Sequence, residues 1–110
     1  MIDIEATIKN TLGIPVIELF EPVLPPCATW YPISDNSGLE GDGKQQEEVS
    51  EYQIDLWDRD RGRVRENGRK LKAAILSNPD VSIPELSYFY DVNGKMWRAM
   101  LTFSEVRKEQ

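Results

Sequence analysis

The stretch EEVSEYQIDLWDRDRGRVRENGRKLKAAIL, residues 47–76, carries the clearest structural pattern in the sequence. Apolar and polar residues alternate through its first half around Ile54, which predicts a strand with one buried face. Its second half carries residues at helical spacing, which predicts a helix with one buried stripe. The residues of that stripe are Val64, Gly68, Leu71 and Ile75. Asp58 or Asp60 can cap the helix, so we expect the strand to pass into it with almost no loop.

Shorter patterns before this stretch predict a first helix and a first strand. Apolar residues four apart predict a short helix over residues 4–12, with Asp3 as its N-cap and Gly13 just after its end. Residues 27–34, CATWYPIS, suit a strand. Pro32 cannot donate a backbone hydrogen bond to a neighbouring strand, so it favours a sheet edge or a bulge.

The last third of the chain predicts a hairpin, which completes the fold class. Alternating apolar residues stand on both sides of Asn93-Gly94, a pair that favours a type I′ turn with both residues at positive φ. The tail at 107–110 is expected to fray. The whole chain, 1–110, is then a single α+β domain. Its small sheet is antiparallel or mixed, has about four strands and carries both helices on one face.

The stretch DNSGLEGDGKQQ at 35–46 predicts a mobile loop. It comes close to the phosphate-binding pattern G-x-x-x-x-G-K-[S/T], but Gln45 stands where a hydroxyl must hold magnesium. Glu40 and Asp42 would also place carboxylates where phosphate should lie. Its acidic and amide oxygens do not follow the order of a calcium-binding loop. We therefore expect neither a nucleotide site nor a specific metal site here.

Composition excludes several function classes. The chain has 110 residues, a formal net charge of −6, no histidine and one cysteine, Cys27. The commonest general base and metal ligand is absent, so we expect no enzyme, no cofactor and no metal site. A lone cysteine cannot form an intramolecular disulfide, which favours a reducing compartment. We found no pattern of a signal peptide or membrane span, so an intracellular location away from membranes is expected.

Charge is concentrated on the predicted second helix. Residues 58–72 hold seven basic and three acidic residues, which leaves a net charge of −10 on the rest of the chain. Arg61, Arg65 and Arg69 form a stripe with spacing of four, and like charges at this spacing destabilise a helix. Either water solvates the stripe or an acidic partner neutralises it, and the nearest acidic partner is another copy. Trp57, opposite in phase to the apolar face, is the aromatic residue most expected to be exposed.

The order of these elements resembles that of the tail-terminator and tail-completion proteins of long-tailed bacteriophages and prophages, and of related head–tail joining proteins. The resemblance rests on YQIDLW at 52–57 followed by DRDR at 58–61, on the helix to Leu76, and on the hairpin at Asn93-Gly94. It covers most of the chain as a pattern of elements. The short first helix and the arginine density depart from the commonest form of the family.

The resemblance implies a structural protein that forms a ring, typically of six copies, on the end of a tail tube. Such a ring stops tube growth and offers a surface for head attachment, with no catalysis and no cofactor. Its partners would be further copies, tail-tube proteins and head-completion proteins. It would occur in the bacterial cytoplasm during assembly and then in the virion tail. The interface candidates are Arg61, Arg65, Arg69, Trp57, Asp35, Glu40 and Asp42.

Two other function classes remain open. One is a small nucleic-acid-binding regulator that uses the arginine-rich helix at 59–76, whose affinity would fall steeply with salt. The other is a stand-alone interaction or inhibitor domain. The acidic remainder of the chain argues against a general coat on nucleic acid, so direct nucleic-acid binding is not expected.

Overall fold

Two helices pack on one face of a four-stranded sheet. The computed structural model describes residues 2–37 and 47–108. The helices are α1 (Ile4–Leu12) and α2 (Arg61–Leu76), and the strands are β1 (Cys27–Ser37), β2 (Glu47–Asp58), β3 (Glu85–Asp91) and β4 (Met96–Lys108). Strand order is β1-β2-β4-β3, with every pair antiparallel. The predicted α+β class is confirmed. Neither helix in the described ranges is long and apolar enough to cross a membrane.

The core lies between the sheet and the two helices. Ile54 on β2 and Leu101 on β4 face each other in register and are almost fully buried. Leu71 and Ile75 of α2 are buried in the same cluster, as the helical spacing predicts. Burial of each such side chain contributes roughly 1.5–3 kcal/mol before conformational entropy is subtracted. The apolar faces of the strand and the helix predicted from residues 47–76 therefore pack together in one core.

Both helices begin at the predicted caps. The side chain of Asp3 accepts a hydrogen bond from the backbone N–H of Ala6, and Gly13 ends α1 with φ 67°. Asp60 is the N-cap of α2 and accepts from the backbone N–H of Arg63. Asp58, the alternative cap, instead accepts from the backbone N–H of Asp60. The strand therefore enters the helix through a turn held by two carboxylates.

β1 and β4 extend further than the sequence predicted, because β2 pairs with β4 from Glu47 to Asp58 and with β1 from Glu48 to Trp57. β1 is an edge strand with a register shift at Pro32, as predicted, but it continues through 35–37 beside the start of β2. β4 likewise continues through 107–108, opposite Glu47 and Glu48. Residues 35–37 of the predicted loop and residues 107–108 of the predicted frayed tail are therefore strand. Their remaining residues lie outside the described ranges.

The turn of the β3–β4 hairpin also differs from the prediction. Asp91 pairs with Met96 across a four-residue loop, and neither Asn93 nor Gly94 has positive φ. Lys95 takes that conformation instead, with φ 53°. The carboxylate of Asp91 accepts from the backbone N–H of Asn93 and holds a wider loop than a type I′ turn. A Cβ at Gly94 would lie 2.7 Å from this carboxylate, so the glycine provides space.

Candidate functional site

Helix α2 lies close to the β3 edge of the sheet because it has a glycine at its contact point. A Cβ at Gly68 would lie 3.2 Å from a methyl carbon of Leu86 and 3.5 Å from the hydroxyl of Tyr88. Glycine inside a helix costs roughly 0.5–1 kcal/mol relative to alanine. The close approach offsets this cost by packing α2 directly on β3. It also brings the exposed face of the helix beside aromatic residues of β3 and β4.

The predicted arginine stripe, Arg61, Arg65 and Arg69, lies along this edge of α2. The guanidinium carbon of Arg61 is 5.4 Å from the centre of the Trp97 ring, and that of Arg65 is 5.9 Å from the Tyr88 ring. Cation–π contacts at exposed sites are worth about 0.5–1 kcal/mol each. These contacts offset part of the repulsion between the arginines. From the sequence, we expected only water or an acidic partner to relieve that repulsion. All three arginines remain exposed.

Arg63 has a different role from the stripe because it faces the end of β2. It forms two hydrogen bonds to the buried carboxylate of Asp58, 2.6 Å from Nε and 3.1 Å from Nη2. Burial raises the pKa of Asp58, but the bonds from Arg63 and from the backbone N–H groups of Arg59 and Asp60 outweigh it, so the pKa is lowered. The ionised carboxylate therefore fixes the junction between β2 and α2.

The sheet face opposite the helices carries a cation between two aromatic rings. Trp57, Arg98 and Phe89 lie side by side on β2, β4 and β3. The Arg98 guanidinium carbon is 5.5 Å from the Trp57 ring centre and 4.9 Å from the Phe89 ring centre. The indole N–H of Trp57 also donates to the hydroxyl of Thr29, at 3.4 Å. Trp57 thus lies on the predicted face, but it is only partly exposed.

Asp55 is the buried carboxylate of this second face. Burial raises its pKa, and the hydrogen bond from Gln53 and the charge of Arg98 lower it only in part, so the pKa lies above its ordinary value. The nearest nitrogen of Arg98 is 3.9 Å away, too far for a hydrogen bond. Arg98 therefore acts on Asp55 through its charge, while its guanidinium contacts the rings of Trp57 and Phe89.

The loop from Glu18 to Leu24, the 18–24 loop, exposes large apolar side chains. The backbone N–H of Glu21 bonds to the carbonyl of Glu18, and Phe20 has φ 72°. Positive φ at the third residue is the geometry of a type II turn, where glycine is preferred. Leu19 lines a groove against β1, whereas Phe20 is fully exposed and Leu24 is 75% exposed.

The cysteine, the possible metal ligands and the acidic interface candidates named from the sequence remain to be placed in the described part of the chain. Cys27 is buried; burial raises the pKa of its thiol, and a backbone hydrogen bond at Leu24 lowers it only in part. The described ranges contain no cluster of three or more metal-binding side chains. Asp35 lies within β1, and Glu40 and Asp42 lie outside the described residues.

Comparison with known proteins gives one kind of match. No protein-family model and no curated protein matches the sequence. Among solved structures, the chain is similar to a chain of the virion of a native gene transfer agent particle. The similarity covers 94% of this chain and 86% of that chain, with a TM-score of 0.53 and 12% identity. At this identity the likeness is one of fold.

Proposed function

We propose that the chain is a structural protein of a phage-like virion, of the tail-terminator or head–tail joining kind. The observation that supports this is the fold shared with a virion chain of a gene transfer agent over 94% of the sequence. It agrees with the family resemblance carried by the strand–helix junction at 52–61. In this role the protein acts through its surfaces, as a ring of identical copies on the end of a tail tube.

The charge arrangement of the surface supports assembly of copies. An exposed arginine stripe lies on one helix, while the rest of the chain is acidic. Charged patches of opposite sign steer association and fix the register of contacts. In the proposed assembly, rings of six copies, as in the family that the chain resembles, form in the bacterial cytoplasm. They then meet tail-tube and head-completion proteins.

The proposed function is tested by the mass of the purified protein in solution. Sedimentation velocity over a concentration series should show a discrete ring species, and negative-stain images should show closed rings. The same protein should bind duplex DNA only weakly and without sequence preference. A monomer at every concentration, together with tight DNA binding that falls steeply with salt, would instead favour a nucleic-acid-binding regulator.

A further inference from the structure

The turn at Glu18–Glu21 presents a peptide of defined chemistry to the outside of the protein. Two carboxylates, on Glu18 and Glu21, flank an apolar pair, Leu19 and Phe20. Phe20 stands at positive φ in a position that favours glycine, and it is fully exposed. A large aromatic side chain in a strained, solvated position contributes nothing to the fold that glycine would not. Such local rule-breaking is typical of functional positions.

A surface on the same molecule has the complementary chemistry. We call it the arginine–aromatic patch; it comprises Arg61, Arg65, Arg69, Tyr88, Tyr90 and Trp97. The Tyr90 and Trp97 rings meet edge to face with centres 5.0 Å apart, and Tyr90 is 48% exposed. A guanidinium that lies over a ring still has N–H groups in its own plane to donate to a carboxylate. The patch can therefore bind an aromatic ring and acidic groups together.

The two surfaces lie at opposite edges of the sheet. The chain leading into the 18–24 loop runs beside the outer edge of β1, where Val16 bridges Ala28. The arginine–aromatic patch lies over β4 and β3, at the other end of the strand order. A contact between one surface and the other on a second copy is therefore head-to-tail. Head-to-tail contacts close into rings when the rotation between copies allows it.

We propose that the Glu18–Glu21 turn of one copy docks on the arginine–aromatic patch of the next copy. Glu18 and Glu21 pair with arginines of the stripe, and Phe20 packs against the exposed rings beside them. The inference rests on the proposed ring and names the two halves of its repeating contact. The arginine stripe would then contact aromatic rings of its own chain and glutamates of the next copy.

The test reverses the charges on each half of the contact. A loop variant carries Glu18→Arg and Glu21→Arg, a helix variant carries Arg65→Glu and Arg69→Glu, and a combined variant carries all four changes. All four side chains are exposed, so circular dichroism should show the parent fold in each variant. Sedimentation velocity at matched concentration then measures association of the parent and the three variants.

The loop variant and the helix variant should each associate about tenfold or more weakly, because attractive ion pairs become repulsive. The combined variant should recover association, since its basic loop meets an acidic helix on the next copy. Failure of this recovery, or a loop variant that associates like the parent, would overturn the pairing and leave the ring standing. A parent that stays monomeric would instead overturn the proposed ring, and the pairing with it.

Discussion

Helix α2 and Phe20 of the 18–24 loop both depart from the preferences of local structure, but only the helix has contacts within the chain that offset the departure. Its internal glycine, Gly68, lets the helix approach Leu86, and the arginine at its first turn, Arg63, binds the carboxylate of Asp58. In the loop, Phe20 has positive φ and a fully exposed ring. A departure from local preference that is matched by contacts within the chain therefore serves the fold. One without them points to a partner.

The largest effect on stability should come from filling the space that Gly68 leaves between α2 and β3. Gly68→Val places side-chain atoms against Leu86 and Tyr88, and we expect it to lower the free energy of unfolding by about 1–3 kcal/mol. Ala73→Val, at an exposed position of the same helix, is the control that places valine where no side chain of the sheet is crowded, and only its lower helix propensity should reduce stability. Chemical denaturation measures both. A Gly68→Val protein as stable as the parent, or more stable, would show that Gly68 is not a packing position, because valine has a higher helix propensity than glycine.

The next effect concerns the junction of β2 and α2. Asp58→Asn replaces a buried, ionised acceptor of hydrogen bonds. We expect it to lower the free energy of unfolding by about 1–2 kcal/mol at neutral pH. The pKa of Asp58 is lowered in the folded protein, so its contribution is present above the unfolded value, near 3.9, and is lost as pH falls through the folded pKa. The pKa of Asp55 is raised, so ionisation of this residue lowers the free energy of unfolding as pH rises. This effect is the same in the parent and the variant and does not change the difference between them.

Thermal unfolding as a function of pH checks this prediction. The gap in midpoint between the parent and Asp58→Asn should be widest near neutral pH and should close on acidification below about pH 4. A gap that stays constant through the acid range would contradict the assignment of the stabilisation to the charged form of Asp58.

The sequence predicted those parts of the fold whose causes are local. The cap of α1 at Asp3, its end at Gly13 and the cap of α2 at Asp60 all act within a few residues. The prediction of a type I′ turn at Asn93-Gly94 was wrong because the carboxylate of Asp91, the last residue of β3, stabilises a wider loop. A dipeptide rule contains no information on that contact.

The candidate site was predicted only in part for the same reason. The arginine stripe is visible as a spacing of four, but its contacts with Tyr88 and Trp97 depend on how α2 lies on the sheet. The turn around Phe20 escaped detection because the glycine that would signal a type II turn is absent. A large aromatic residue between two glutamates and before a proline was the available signal.

The smallest effect on folding should come from Phe20→Gly. Relief of positive φ is worth roughly 1–2 kcal/mol, and the added freedom of the unfolded chain offsets about 0.4–1 kcal/mol of it. We therefore expect the free energy of unfolding to rise by up to about 1.6 kcal/mol, with the middle of the range below about 1 kcal/mol. Denaturant titration measures the change, with Ile83→Ser as the control for removal of an exposed apolar side chain elsewhere.

Sedimentation velocity of Phe20→Gly, compared with the parent and with Ile83→Ser, shows whether Phe20 contributes to assembly. If Phe20 is held in place for a neighbouring copy, the variant that folds better should assemble worse, and its ring species should shrink in favour of monomer. Ile83→Ser should sediment like the parent. A Phe20→Gly protein with undiminished ring species would contradict the account, because the exposed ring would then serve neither the fold nor the assembly.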